Sequence, residues 1–333
     1  LATKDRRKRT NSTACKGKDF DRVIAVTLGD PQGIGPEIVY KSFREYIPGY
    51  PVVIIGGLND YPDKTVRVIS SLEDAVQGGG GINFYHVDTP APGKNGTVKG
   101  DASYEYVRTA IGWALGKKVH ALVTAPISKE KWLNAGITDK GHTGLLARTA
   151  GVKEHAMFFW SAGLKVALFT VHMPLNQIFP MIKKDEIIRF IRFTASELTR
   201  LFAKEFTFLV SGLNPHAGEG GFLGNEEIDE ILPAVETLKP EMNITGPIPP
   251  DTVFLKAKDT KDAVVIAWYH DQGLIPFKLL NIDTGVNLTL GLPYIRTSPD
   301  HGTAYDIAGK GIANPSSMKE ALRLAELLVK KMR

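Results

Sequence analysis

Six short apolar runs recur along the chain, at residues 23–28, 52–55, 121–124, 166–170, 208–210 and 263–267, and helix-period stretches separate most of them. Runs rich in Val, Ile, Leu and Ala with no polar alternation suit strands buried on both faces. Such strands need helices on either side of the sheet, and residues 103–117, 184–203 and 225–238 carry the matching spacing. The alternation therefore predicts an α/β chain, an α/β/α arrangement built on mostly parallel sheets. A last stretch, 316–332, places Met318, Ala321, Leu322, Ala325 and Leu328 on one face and reads as a closing amphipathic helix. At 333 residues the chain has core enough for about two domains. It shows no internal repeat, and Gly78-Gly79-Gly80-Gly81 and Pro90-Ala91-Pro92-Gly93 read as surface loops.

Charge is unevenly spread. Residues 1–22 hold eight Lys/Arg against Asp5, Asp19 and Asp21, which accounts for the whole formal net charge of +5. A basic run such as Arg6 to Arg9 can bind nucleic acid, address a protein or resemble a transit peptide, but a cluster outside the folded body reads first as a solvated, flexible tail. Nucleic acid is accordingly not the expected partner. Cys15 is the single cysteine, so an intrachain disulfide and a thiolate metal cluster are excluded. No apolar stretch approaches the ~18 residues of a membrane span, and the start lacks a secretory apolar region. A cytoplasmic protein is the expectation, with the Asn-X-Ser/Thr matches at Asn11 and Asn287 arising by chance.

Four of the eight histidines lie in short segments placed at the ends of predicted strands: Gly141-His142-Thr143, Val171-His172-Met173-Pro174, Asn214-Pro215-His216-Ala217-Gly218-Glu219 and Tyr269-His270-Asp271-Gln272-Gly273. Ligands in open α/β sheets bind beyond the strands' carboxyl ends. Three neutral imidazoles gathered there, without cysteine, make a metal site with a position left for substrate, whereas any one alone can be a structural histidine. Glu219 and Asp271 are near enough in sequence to orient imidazoles or to cap turns. The loop from Gly29 to Glu37 ends a strand and opens a helix at Pro36. It reads equally as an anion-binding turn or a tight structural one, and its spacing matches neither the dinucleotide fingerprint nor the phosphate loop. Lys278, Asn287 and Arg296, if they reach one pocket, suit a phosphate or carboxylate; otherwise the two cations are surface charges.

Several of these segments resemble one family in order. Thr27-Leu28-Gly29-Asp30-Pro31-Gln32-Gly33-Ile34-Gly35-Pro36-Glu37, Gly141-His142-Thr143, Asn214-Pro215-His216-Ala217-Gly218-Glu219, Tyr269-His270-Asp271-Gln272-Gly273 and Arg296-Thr297-Ser298-Pro299-Asp300-His301-Gly302-Thr303-Ala304 are similar to the 4-hydroxythreonine-4-phosphate dehydrogenase family of pyridoxal phosphate biosynthesis, from about Val23 onward. The resemblance implies an NAD- or NADP-dependent homodimer that needs one divalent ion, zinc, magnesium or cobalt, held near the interface by histidines from both subunits. By motif position the metal ligands are His172, His216 and His270. His142 and Thr143 contact the substrate, Lys278, Asn287 and Arg296 complete its pocket, and Asp251 is a further contact. The proton acceptor is left among His142, Asp251 and a water.

The segment from Asp300 to Pro315 is also similar to the nucleotide loop of isopropylmalate and isocitrate dehydrogenases, which bind NAD(P) without a Rossmann domain. That likeness implies that His301, Gly302, Thr303, Ala304, Asp306 and Asn314 hold the adenosine end of the cofactor. It also implies a cofactor-side domain of residues 23–128 with 282–333, a metal and dimerisation domain of residues 129–281, and a cleft between them. The expected reaction is oxidation of 4-phosphooxy-L-threonine to 2-amino-3-oxo-4-phosphooxybutanoate, which loses CO₂ to give 3-amino-2-oxopropyl phosphate. Two departures stand out: Gly144 where the family commonly has Glu, and Gln32 for the usual Ala. The alternatives are a relative oxidising D-erythronate or D-threonate 4-phosphate or an unphosphorylated cyclic diol, a metal-dependent hydrolase, and a noncatalytic protein recruited through the basic tail.

Overall fold

The computed structural model of the chain describes residues 22–77, 81–88 and 101–332. The basic segment up to residue 21, Cys15 and the Asn11 match within it, Gly78 to Gly80 and Pro90 to Gly93 lie outside the described residues. Arg22 donates from Nη1 to the Val329 carbonyl at 2.7 Å.

The strands are β1 (Ile24–Thr27), β2 (Val52–Gly56), β3 (Arg67–Ile69), β4 (Ile82–His86), β5 (Ala121–Thr124), β6 (Ala156–Trp160), β7 (Lys165–Leu168), β8 (Thr207–Ser211), β9 (Ile244–Ile248), β10 (Ala263–Ala267), β11 (Val286–Leu290) and β12 (Ile295–Pro299). Among the described residues they form one sheet in the order β3-β4-β2-β1-β5-β12-β11-β6-β7-β10-β8-β9. The helices are α1 (Gly35–Glu45), α2 (Leu72–Gln77), α3 (Ala102–Leu115), α4 (Lys129–Asn134), α5 (His142–Ala150), α6 (Lys184–Phe202), α7 (Leu232–Leu238), α8 (Val253–Asp259), α9 (His270–Asn281) and α10 (Ser316–Lys331). This is the expected α/β class with a mostly parallel sheet, and its strand order is not that of a Rossmann domain.

Two parallel blocks flank an antiparallel middle. The block from β3 to β12 runs one way and β7-β10-β8-β9 the other, because the steps β12-β11, β11-β6 and β6-β7 are each antiparallel. The inner parallel strands β1, β2 and β10 are almost wholly apolar and buried at every residue because both faces are covered, whereas the edge strands β3 and β9 are partly exposed. The closing helix α10 buries Met318, Ala321, Leu322, Ala325 and Leu328, the stripe its spacing foretold, and packs on β12 and α1. Thr297 of β12 donates to the Ala321 carbonyl of α10 at 2.9 Å, so its neighbours Arg296 and Ser298 face the other side of the sheet.

The six apolar runs form β1, β2, β5, β7, β8 and β10. Residues 225–238 hold a turn of π-helix at Glu227–Ile231 before α7. Contrary to the expectation of a strand end, His142 opens α5: Gly141 adopts φ 108° and turns the chain into the helix, and the preceding strand, β5, ends at Thr124.

Candidate active site

A cavity of about 900 Å³ lies over the antiparallel middle of the sheet. Its floor follows from register. Asn287 of β11 pairs with Ser298 of β12 and with Phe159 of β6, and Met157 pairs with Leu168 of β7, so these side chains share a face, all lining the cavity. Arg296 lies on the same face, 3 % exposed. Its guanidinium donates to Thr124 Oγ1 at 2.8 Å from Nη2 and 3.2 Å from Nε, and to Thr289 Oγ1 at 3.1 Å from Nη1. Burial pulls its pKa down to about 10. A desolvated cation bonded to neutral hydroxyls and opening on a cavity is the electrostatic complement of an anion.

Around it stand His142, Lys278 and Asn287. Burial first, then the Arg296 and Lys129 charges, hold the His142 imidazole well below its usual pKa, so it is neutral at pH 7. Its ring meets Trp132 edge to face at 5.9 Å, and its Nε2 and the Asn287 amide oxygen are both inaccessible and without a hydrogen-bond partner. Orphaned polar atoms at a cavity wall are what a bound polar ligand satisfies. Lys278 Nζ lies 3.4 Å from Asp300 Oδ1, and burial raises the Asp300 pKa more than that ammonium lowers it.

Parallel pairing brings two of the three candidate metal histidines together. Beyond the ends of β7 and β10 the ladder continues through Phe169 N to Ala267 O at 2.8 Å and Thr170 N to Trp268 O at 3.1 Å. His172 and His270 follow directly, their ring centroids 5.6 Å apart. Burial lowers the His172 pKa, which keeps a lone pair available. Asp271 Oδ1 meets His270 Nδ1 at 2.7 Å and leaves Nε2 free, the usual orientation of a metal-binding imidazole. His216 follows β8, the other neighbour of β10, but is exposed on an outward turn and does not line this cavity. No three His, Cys, Asp or Glu side chains among the described residues are close enough to hold an ion. The paired imidazoles of His172 and His270 fit part of a divalent cation's ligand set.

Thr143, His301 and Gly302 line the cavity, while Thr303, Ala304, Asp306 and Asn314 continue along the loop beyond it, and Asp251 is exposed elsewhere. The His301 Nε2 is another orphaned buried atom. Asn314 Nδ2 donates to Asp283 at 2.7 Å, and Lys41 of α1 clamps the Gly311 and Ala313 carbonyls at 2.8 and 3.0 Å. The loop from Gly29 proves to be a structural turn: the Asp30, Gly33 and Ile34 N–H groups bond the Pro126, Asp30 and Thr303 carbonyls, and Gln32 N bonds Asp30 Oδ1. Gly29, at φ 70°, lies so near that a Cβ would meet Pro126 O at 2.3 Å. Asp30 in turn is paired with Lys131 at 2.8 Å and with the Tyr305 hydroxyl, which ties α4 to the 301–314 loop. Sequence reasoning missed Lys129, Lys140 and Lys153, which add positive charge to the cavity. The only signal was that Lys140 directly precedes Gly141-His142-Thr143; Lys129 and Lys153 carry no motif.

The chain matches the family model "Pyridoxal phosphate biosynthetic protein PdxA" over residues 53–325. It is 41 % identical over 330 residues to a 4-hydroxythreonine-4-phosphate dehydrogenase of Aquifex aeolicus, covering 94 % of this chain and 100 % of that one. A D-threonate 4-phosphate dehydrogenase of Pectobacterium atrosepticum is 40 % identical, with 92 % and 99 % covered. The crystal structure of 4-hydroxythreonine-4-phosphate dehydrogenase from Klebsiella pneumoniae superposes with a TM-score of 0.80 at 37 % identity, over 94 % of this chain and 99 % of that one.

Proposed function

The chain belongs to the PdxA family of pyridoxal phosphate biosynthesis, and from that premise we propose that it is an NAD(P)-dependent dehydrogenase of 4-phosphooxy-L-threonine. The observation that carries the reading is the gathering of Arg296, Lys278 and Asn287 with His142, His172 and His270 around one cavity. Arg296 and Lys278 receive the phosphate or carboxylate, and Asn287 and Thr143 orient it. His172 and His270, completed by His216 of a second copy, hold a divalent ion, zinc, magnesium or cobalt. A divalent ion held by these residues would supply Lewis-acid stabilisation of the deprotonated alcohol, as zinc takes water from ~15.7 to ~7, and NAD(P) would supply the hydride acceptor. His142, neutral beside two cations, Asp251 or a bound water takes the hydroxyl proton. The substrate's C3 alcohol thus loses a proton and a hydride to become the ketone 2-amino-3-oxo-4-phosphooxybutanoate. This β-keto acid releases CO₂, takes up a proton at carbon and leaves 3-amino-2-oxopropyl phosphate. His301, Gly302, Thr303, Ala304, Asp306 and Asn314 carry the adenosine end of the cofactor, on a domain of residues 23–128 and 282–333, with residues 129–281 as the metal and dimerisation domain.

Self-association is supported by α9, which carries the site's His270 and exposes Ile275 at 66 %, Leu279 at 83 % and Leu280 at 50 %. A mixing experiment tests the shared site. His172→Ala and His216→Ala are each inactive as homodimers, and random pairing in a two-fold dimer returns roughly a quarter of the wild-type activity through the one intact site of each mixed dimer. No recovery refutes the sharing. The chemistry itself is tested by following reduced nicotinamide absorbance with 4-phosphooxy-L-threonine, NAD⁺ or NADP⁺ and each ion; no signal with any combination rejects it.

A second reading has its own observation. Each carboxylate lining the cavity faces a cation: Asp300 faces Lys278 at 3.4 Å, and Glu154, at 3.7 Å, and Glu186 face Arg189. Among the described residues that line the cavity no carboxylate is left for a substrate ammonium, which favours 4-phosphorylated hydroxy acids such as D-threonate or D-erythronate 4-phosphate. Comparing kcat/KM across the amino and hydroxy acids decides between the two.

A further inference from the structure

His216, Ala217, Gly218, Glu219 and Gly220 follow one another at φ of 52°, 55°, 78°, 43° and 68°, a full turn in the left-handed region. L-residues avoid that region because Cβ crowds the carbonyl, and His216, Ala217 and Glu219 have no glycine's licence to enter it. A turn of this kind persists only when its surroundings impose it. The imposing group is Glu227, 3 % exposed at the start of the π-helical turn. Its Oε1 accepts from the backbone N–H of Leu213 and of Asn214, both at 2.7 Å, and its Oε2 accepts from Asn214 Nδ2 at 2.9 Å. The entry to the turn is thereby fixed, and Ala217 N closes onto the Asn214 carbonyl at 3.1 Å. Gly218 packs against the same carboxylate, where a Cβ would come within 2.8 Å of Oε2.

We propose that Glu227 is a positioning residue for the metal site: it holds the left-handed turn that presents His216, exposed, to a second copy of the chain. This rests on His216 being the third ligand. Without Glu227 the turn relaxes toward right-handed or extended backbone, and the imidazole leaves its direction.

The test is a metal titration of the assembled full-length protein, with cobalt(II) against a competing chelator, for wild type, His216→Ala, Glu227→Ala and Glu227→Gln. Loss of a group that orients a ligand weakens metal binding by about 10- to 100-fold, and Glu227→Ala should fall in that range. Glu227→Gln should lose clearly less affinity than Glu227→Ala, because its oxygen still accepts from the Leu213 and Asn214 N–H groups and only the contact with the Asn214 amide, which also donates to Glu226 Oε2 at 2.7 Å, is broken. Should Glu227→Ala fail to fold, Gly218→Ala disturbs the same contact and should show the same loss. A role confined to stability would lower the Tm and leave cobalt affinity at the wild-type value, which overturns the inference, as does equal loss in the Ala and Gln variants. Unchanged affinity in His216→Ala overturns the ligand reading beneath it.

Discussion

Arg296 shows at the scale of one residue how binding and stability diverge. A guanidinium 3 % exposed, whose hydrogen bonds go to Thr124 and Thr289 hydroxyls, is held in the fold at the expense of its hydration. An unliganded chain gains little from it; a phosphate or carboxylate gains a desolvated, geometrically fixed partner. Arg296→Met keeps the volume and removes the charge. Its Tm should stay level or rise, although hydrogen bonds to two threonines are lost, while KM for the phosphorylated substrate rises about 100-fold, the roughly 3 kcal/mol of a buried charge contact. A thermal melt and a KM measured on one preparation check both halves, and a large fall in Tm would show that Arg296 serves the fold.

At the scale of elements, the site depends on how tightly α9 seats on β7 and β10. Gly273 lies at that contact, where a Cβ would come within 2.6 Å of Leu168 Cδ2 and 2.9 Å of Val166 Cγ1. Gly273→Ala must displace Leu168 and Val166 within the core or lift the first turn of α9, the turn that carries His270. Overpacking of this size costs about 1–3 kcal/mol, so the Tm should fall by several degrees and metal affinity should fall with it; a lowered Tm with intact affinity would mean that the helix yields elsewhere. The elements legible in the sequence were those whose faces are both buried, since a run such as Val52 to Ile55 has one reading. β11 and β12 were illegible as strands because one face is the cavity floor: Asn287, Thr289, Arg296 and Ser298 break the apolar pattern for the sake of the ligand. The histidine segments were legible by their glycine and proline marks, and so was the neighbourhood of His172 and His270. The outward direction of His216 was not, because a left-handed turn imposed by a residue eleven positions further on leaves no local signal.

Across the whole molecule, buried imidazoles link stability to pH. Burial is the first cause that lowers the pKa of both His142 and His301, with the Arg296 and Lys129 charges adding to it at His142 and Lys278 at His301. Each folded pKa lies below the unfolded value of ~6.5, so the unfolded chain binds more protons as the pH falls through that value. Stability contributed by the neutral rings is therefore complete above about pH 7 and is lost as the pH drops toward their folded pKa values. Asp300 acts with the opposite sign, its raised pKa favouring the folded state on acidification, and the lowered carboxylates of Asp262 and Glu230 release their contribution only near and below their unfolded values of ~3.9–4.3. Between about pH 7 and pH 5 the histidines decide the sign, since His172, also lowered chiefly by burial, joins His142 and His301: three rings against one carboxyl. The metal-free chain, kept so with a chelator, should lose Tm steadily over that interval. His142→Asn, which keeps a polar group of similar reach and cannot titrate, should flatten the slope. A slope identical in the two proteins would mean that His142 is not held neutral by the fold, and the neutral proton acceptor assigned to the cavity would go with it.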